Sequence, residues 1–129
     1  AEFAERNLDL AAAGDYFFVG AFSPDDVMGY VLLDCRPGAQ LRPEMASLWV
    51  YPAYSRQGLG VRLTRFIENI AAQHGFDSVN LGVDPENPAA IPMYIGLDYT
   101  PTGDHRTVLD DDGTEQREAI FRKSLTITR

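Results

Sequence analysis

The hexapeptide Ser55-Arg56-Gln57-Gly58-Leu59-Gly60 places two glycines, a cation and an amide between an apolar run, ASLWVYP, and an amphipathic one, VRLTRFIENIAAQHG. A strand that hands over to a helix through such a turn leaves the first helical N–H groups unpaired and partly positive. That is an anion cradle. Gly58 and Gly60 would let a phosphate reach those donors without meeting a Cβ. Arg56 either adds charge or points to solvent. A plain tight turn explains the two glycines equally well, because short glycine patterns recur often. Two phosphate motifs are excluded. The dinucleotide fingerprint needs a third glycine at position 63, which is Leu63. The Walker pattern needs Gly-Lys-Ser/Thr, and Gly60 is followed by Val61 and Arg62.

The elements around this loop follow from periodicity. A strand covers residues 44–51, with Glu44, Ala46, Leu48 and Val50 on one face and Met45, Ser47, Trp49 and Tyr51 on the other. The helix after the loop runs over 59–74. Leu59, Leu63, Phe66, Ile67 and Ile70 recur at helical spacing, with Arg62, Arg65, Glu68 and Asn69 opposite. His74 falls in its last turn, and Gly75 ends it. FDSVNLGVD (76–84) reads as a strand. Asn87 then caps a helix with Pro88 at its first position, and Pro92 bends it or tightens its first turns. Upstream, DYFFVGAF and VMGYVLLDC form a hairpin over SPDD, and AEFAERNLDLAAA (1–13) reads as a short helix. Downstream, YTPTGDHRTVL and EQREAIFRKSL form another hairpin over DDDG. The order is α-β-β-β-α-β-α-β-β, an α+β or mixed α/β domain spanning residues 1–129 as one unit.

The segment LWVYPAYSRQGLGVRL resembles the acetyl-CoA-binding segment of the GNAT N-acetyltransferase superfamily, through Val50, Pro52, Tyr54, Gly58 and Gly60. Ser55 departs at a position usually held by Gln or Arg. NPAAIPMYIGLDY resembles a second family segment, N-x-x-A-I-x-x-Y-x-x-L-G-F, through Asn87, Ala90, Ile91, Tyr94 and Leu97; Asp98 stands for its Gly and Tyr99 for its Phe. One helix and one strand separate the two motifs, as in the family. The resemblance covers roughly residues 15–125 and implies a mostly antiparallel mixed sheet flanked by helices.

What the resemblance implies for function is acetyl transfer from acetyl-CoA to a primary amine by direct attack in a ternary complex. The alternative is a noncatalytic acyl-CoA-binding sensor or scaffold. A nucleotide-binding domain, a third class, is weakened by the two failed motifs. The pyrophosphate would sit on Ser55, Arg56, Gln57, Gly58, Leu59, Gly60 and Val61, and the pantetheine arm along Leu48, Trp49 and Val50. Tyr94 stands where the family places a general acid near the sulfur, and a phenol suits a thiolate leaving group. A core tyrosine is the bland alternative. Asn87 would hydrogen-bond the cofactor besides capping its helix.

For the base, Glu44 is the candidate, on the strand that feeds the loop; an ordinary exposed strand-start residue is the alternative. His105 and His74 come after it. Trp49 either lines the acceptor cleft or fills the core, and the core is favoured. Cys35 has no activating partner in sequence and reads as a small buried or edge residue. Asp110–Asp112 lack the alternating ligands of a calcium loop and read as a turn. No metal is expected.

Composition bounds the classes. The length, 129 residues, suits one core. A net charge of −8 argues against nonspecific nucleic-acid binding and leans weakly towards a cationic acceptor. No apolar run approaches the roughly 20 residues of a membrane span, so no membrane partner is expected. With one cysteine and no leader-like start, the expected compartment is the cytoplasm. The family usually has a strand and two helices before the first hairpin, and here the strand and most of the helical cover look absent, with residues 1–13 as the tail of the second helix. A fragment, a naturally short version, or one completed by a partner or homodimer would all account for that. The amine, whether small molecule or peptide, is not named by any motif.

Overall fold

The computed structural model describes residues 8–87 and 89–125. In chain order the elements are β1 (Leu8–Ala13), β2 (Tyr16–Phe22), β3 (Val27–Asp34), β4 (Glu44–Val50), α1 (Leu59–Gln73), β5 (Ser78–Val83), α2 (Ala90–Gly96), β6 (Thr100–Leu109) and β7 (Glu115–Ser124), with a single 3₁₀ turn at Pro52–Tyr54. The strands form one mixed sheet in the order β1-β2-β3-β4-β5-β7-β6, antiparallel except between β4 and β5. This is the mixed α+β fold expected, apart from its first element.

The helix expected over residues 1–13 is not formed at Leu8–Ala13, which is a strand paired along its whole length with β2. Residues 1–7 lie outside the described residues, as does Pro88. Gly14, at φ 62, and Asp15 make a two-residue hairpin turn, which suits a glycine in its first position. The open edge of β2 offers backbone partners to all six residues, and a short alanine-rich helix has no comparable packing partner. β1 thus passes directly into β2 as an edge hairpin, with no helix between them.

One face of the sheet packs on α1. Val19, Val31, Leu33, Met45, Val79, Leu81 and Phe121 meet Leu59, Leu63, Ile67 and Ile70 in one cluster of buried residues. Glu68 departs from the expected pattern, since it is 7% exposed and not on a solvated face. Thr64, Ile67, Glu68 and Ala71 are three or four residues apart and share the buried side of the helix. The Glu68 carboxylate accepts from Tyr99 Oη at 2.9 Å and from Lys123 Nζ at 3.0 Å. Burial, reinforced by that carboxylate, pushes the Tyr99 phenol far above the tyrosine range.

Helix α2 ends in a Schellman motif. Tyr99 N–H donates to the Tyr94 carbonyl and Asp98 N–H to the Ile95 carbonyl, both at 3.0 Å, with Asp98 at φ 74. An aspartate in this left-handed position, at the negative end of a helix, carries two penalties. Asp98→Gly is expected to stabilise the chain by about 0.5–1 kcal/mol, read as a higher urea midpoint at unchanged slope.

The other face of the sheet is open at β2–β4. Phe18, Tyr30, Tyr51 and Trp49 form a row of ring contacts, with centroids 5.9, 6.5 and 6.2 Å apart. Trp49 is 48% exposed and so is not the core residue favoured from sequence. The cause is a bulge at Ser47, whose φ is 56. Leu32 faces Ala46 and Tyr30 faces Trp49, so alternation along β4 slips by one residue. Glu44, Ala46 and Trp49 consequently share the open face. The expectation that Glu44 shares a face with Leu48 and Val50 is corrected; those two pack towards the core side.

Candidate functional site

Strands β4 and β5 pair only at Glu44↔Asn80. Asn80 pins that junction. Its N–H donates to the Pro43 carbonyl at 3.0 Å, its Nδ2 to the Leu41 carbonyl at 3.2 Å, and its Oδ1 accepts from Arg122 Nε at 2.7 Å. Beyond it the two strands part. The β5-facing edge of β4, from the bulge to Val50, has no strand partner among the described residues. Backbone donors and acceptors exposed in a cleft are what an extended, amide-bearing ligand can pair with.

Two adjoining cavities occupy the cleft. One, of about 470 Å³, is lined by Leu48, Trp49, Val50, Ser55, Gly60, Asn87, Met93 and Tyr94 among others. The second, of about 380 Å³, shares Leu48, Val50, Ser55, Gly60 and Met93 and adds Arg56, Gly58, Leu59 and Val61. Of the twelve residues expected at the cofactor, the walls of these cavities include all except Gln57.

The loop is held from outside. Tyr54 N–H donates to the Tyr51 carbonyl and Tyr54 Oη to Asp26, while Ser55 Oγ donates to the Pro52 carbonyl at 2.9 Å. Arg56 and Gly58 are left-handed, at φ 63 and 76, which turns the chain into α1. Gly58 supplies no side-chain cap, and the first turn contains no acidic residue. The first helical bond runs from Arg62 N–H to the Gly58 carbonyl. The N–H groups of Leu59, Gly60 and Val61 therefore precede the intrahelical ladder. A Cβ built on Gly58 would touch nothing within 4 Å, and one on Gly60 only Val50 Cγ2 at 3.8 Å. No described residue fills this space.

Asn87 Oδ1 accepts from the N–H groups of Ala89 and Ala90 at 3.1 and 3.3 Å, the expected cap of α2. Pro92 lies in the first turn of α2, where its missing donor costs no helical bond. Tyr94 on this helix is half-buried, edge-on to Tyr99 with ring centroids 6.4 Å apart. Burial raises its phenol above the ordinary range, and the charge of Glu118 adds to the shift. At neutral pH it is a protonated donor.

Glu44 is ion-paired. Both its oxygens accept from Arg106, at 2.6 Å from Nη2 and 3.2 Å from Nη1. Arg106 Nε also donates to Glu118 Oε1 at 2.9 Å. Arg106 starts on β6 and reaches β4 across β7 and β5. It can do so because Gly82 of β5 has no side chain: a Cβ there would overlap Glu118 Oε1 and lie 2.9 Å from Arg106 Nη2. The two histidines stand apart from this chemistry. His74 Nδ1 donates to the Ile70 carbonyl at 2.8 Å and its ring packs on Phe17; His105 is exposed on β6. Burial pushes the Cys35 thiol up to about 11, which suits an inert core residue. Among the described residues no cluster has the make-up of a metal site, and no helix is long and apolar enough to cross a membrane.

The model of the GNAT acetyltransferase family matches residues 1–99. The chain belongs to the GNAT family. Solved structures with the same fold include the ribosomal-protein-S18-alanine N-acetyltransferase of Escherichia coli, at 18% identity and TM-score 0.68, covering 98% of this chain and 86% of that one. A GNAT acetyltransferase of Elizabethkingia anophelis with acetyl-CoA bound matches at 14% identity and TM-score 0.70, over 92% and 97%. An aminoglycoside 6'-N-acetyltransferase complexed with coenzyme A matches at 16% and 0.68, over 90% and 76%. The fold of this GNAT chain is thus shared with enzymes crystallised with coenzyme A or acetyl-CoA.

Arg106, Glu118 and Gly82 escaped the sequence reading. Arg106 and Glu118 look like ordinary surface charges of a hairpin. Counting back from the DDDG turn would have paired them, as the register does. Nothing in the sequence signals that this pair reaches Glu44.

Proposed function

We propose that this GNAT chain is a cytoplasmic, single-domain N-acetyltransferase that moves the acetyl group of acetyl-CoA to a primary amine in a ternary complex. One observation carries the reading: the glycine-flanked start of α1, the unpaired edge of β4 and the Tyr94 phenol line one cleft. These residues fit coenzyme A. The N–H groups of Leu59, Gly60 and Val61, with Arg56 beside them, would hold the pyrophosphate. The free edge at Leu48–Val50 would offer its backbone groups to the pantetheine amides. Acetyl-CoA supplies the activated thioester carbonyl.

The roles of the side chains follow from their surroundings. Tyr94 would donate its O–H to the departing sulfur, and the proton lost by the acylated amine would restore the phenol. Its raised pKa has a sign consequence. The donor form persists through pH 9, so loss of activity by tyrosine ionisation falls above pH 10. Glu44, with both oxygens taken, is a positioning residue that holds Arg106.

Thiol release should be measured against varied acetyl-CoA and a panel of primary amines. Intersecting initial-rate lines are the expected result. Parallel lines would mean an acyl-enzyme and contradict direct attack. Saturable acetyl-CoA binding without turnover on any amine would leave the noncatalytic acyl-CoA module in its place.

A further inference from the structure

The cleft opens onto the exposed face of the sheet, and its two banks there carry different chemistry. On the β4 bank stands Trp49, half-exposed, lining the cavity that also holds Tyr94 and continuing into the aromatic row of Tyr51, Tyr30 and Phe18. Over the β5 bank, above Gly82, lies Glu118. Its Oε1 is taken by Arg106, whereas its Oε2 has no hydrogen bond among the described residues. The side chain keeps 23% of its surface in solvent. Arg106 faces two carboxylates, so the trio carries one uncompensated negative charge. A cation completes it. Gly82 lies two residues past the Glu44↔Asn80 junction, where β4 and β5 have parted, so the Glu118 carboxylate above it stands on the β5 bank of the cleft.

We infer that this mouth is the acceptor subsite, with Glu118 Oε2 holding the ammonium of a primary amine until its proton leaves to solvent and the neutral nitrogen can attack, and with the Trp49 indole covering an apolar or aromatic carbon skeleton. The inference rests on the acetyl-transfer reading and deepens it. A single uncompensated charge beside a row of rings suits a monoamine with an apolar flank better than a polycation, which would desolvate its further charges for one ion pair and cover less apolar surface. Arg106 and Glu44 act through Glu118 and are positioning residues.

Trp49 is the only tryptophan in the chain, so its fluorescence reports the site directly. The test titrates n-hexylammonium chloride into the intact chain, alone and saturated with coenzyme A, with 1-hexanol as the uncharged control and spermidine as the polycation. The expected result is a saturable change with n-hexylammonium, at a dissociation constant at least about tenfold below that of 1-hexanol. Glu118→Gln keeps the acceptor oxygen for Arg106 but loses the charge. It should raise the n-hexylammonium constant about tenfold or more, the effect of one charge-assisted hydrogen bond, and leave 1-hexanol unchanged. Glu118→Asp should recover part of the loss, which general damage to the fold would not allow.

Equal binding by wild type and Glu118→Gln within twofold, no saturable change in either state, or tighter binding of spermidine than of n-hexylammonium would overturn the inference. Coenzyme A binding is measured separately on the same samples. If n-hexylammonium binds and coenzyme A does not, the acetyl-transfer reading fails and the ammonium site stands. If coenzyme A binds and n-hexylammonium does not, the subsite fails and the reading stands.

Discussion

Gly60→Ala raises the thermal midpoint and weakens acetyl-CoA binding, two effects of opposite sign from one methyl group. Gly60 sits in the first turn of α1, and its nearest foreign atom to a built Cβ is Val50 Cγ2 at 3.8 Å. The methyl therefore enters ordinary contact, and the loss of glycine's backbone freedom is worth about 0.5–1 kcal/mol to the helix. That corresponds to a rise of about 2–6 °C for a chain of this size. The same methyl projects where a pyrophosphate would lie against the first N–H groups of the helix. Losing one charge-assisted hydrogen bond costs about 1.5–3 kcal/mol, so affinity should fall about 10- to 100-fold. Gly58→Ala differs in the first half only. At φ 76 an alanine is strained, so that variant loses stability as well as affinity. Calorimetric melting and titration on both variants check the contrast. A Gly60→Ala chain that binds acetyl-CoA as tightly as the wild type would show that the turn is merely a turn.

Tyr94→Phe is the second large effect. The phenol is held protonated by burial and by the Glu118 charge, and it lines the cleft without a hydrogen-bond partner among the described residues. Removing the hydroxyl leaves the ring contact with Tyr99 in place. Turnover on a reactive amine should fall about 10²-fold or more, while the acetyl-CoA dissociation constant stays within about twofold. A matching fall in both would assign Tyr94 to binding. Unchanged turnover would remove it from the chemistry.

Most of the framework was legible from sequence because it follows from local rules. The spacing of Leu59, Leu63, Ile67 and Ile70 marks α1, Asn87 marks the start of α2, and the DDDG turn marks the last hairpin. The glycine turn that opens α1 was legible as well, although a plain turn and an anion cradle read alike there until the resemblance through Val50, Pro52 and Tyr54 is added. The misses are tertiary. Leu8–Ala13 has helical composition, but the free edge of β2 captures it as a strand. Ser47 is an ordinary residue type, and its left-handed conformation moves Trp49 onto the face of Glu44, which periodicity alone puts opposite. Glu68 looks solvated until Tyr99 and Lys123 arrive from distant strands. Arg106 crosses two strands to reach Glu44, a contact between residues 62 positions apart. Charges on strands are commonplace, and only the bare backbone of Gly82, placed between them by the sheet order, makes this bridge feasible.

The central claim is that the cleft between β4 and β5 binds acetyl-CoA. Isothermal titration of acetyl-CoA into the 129-residue chain, with ATP and NAD as controls, tests it most directly. The account predicts saturable one-to-one binding with a dissociation constant on the order of 1–100 μM, and no comparable heat from either control. A folded sample that binds none of the three, or binds all three alike, would contradict it.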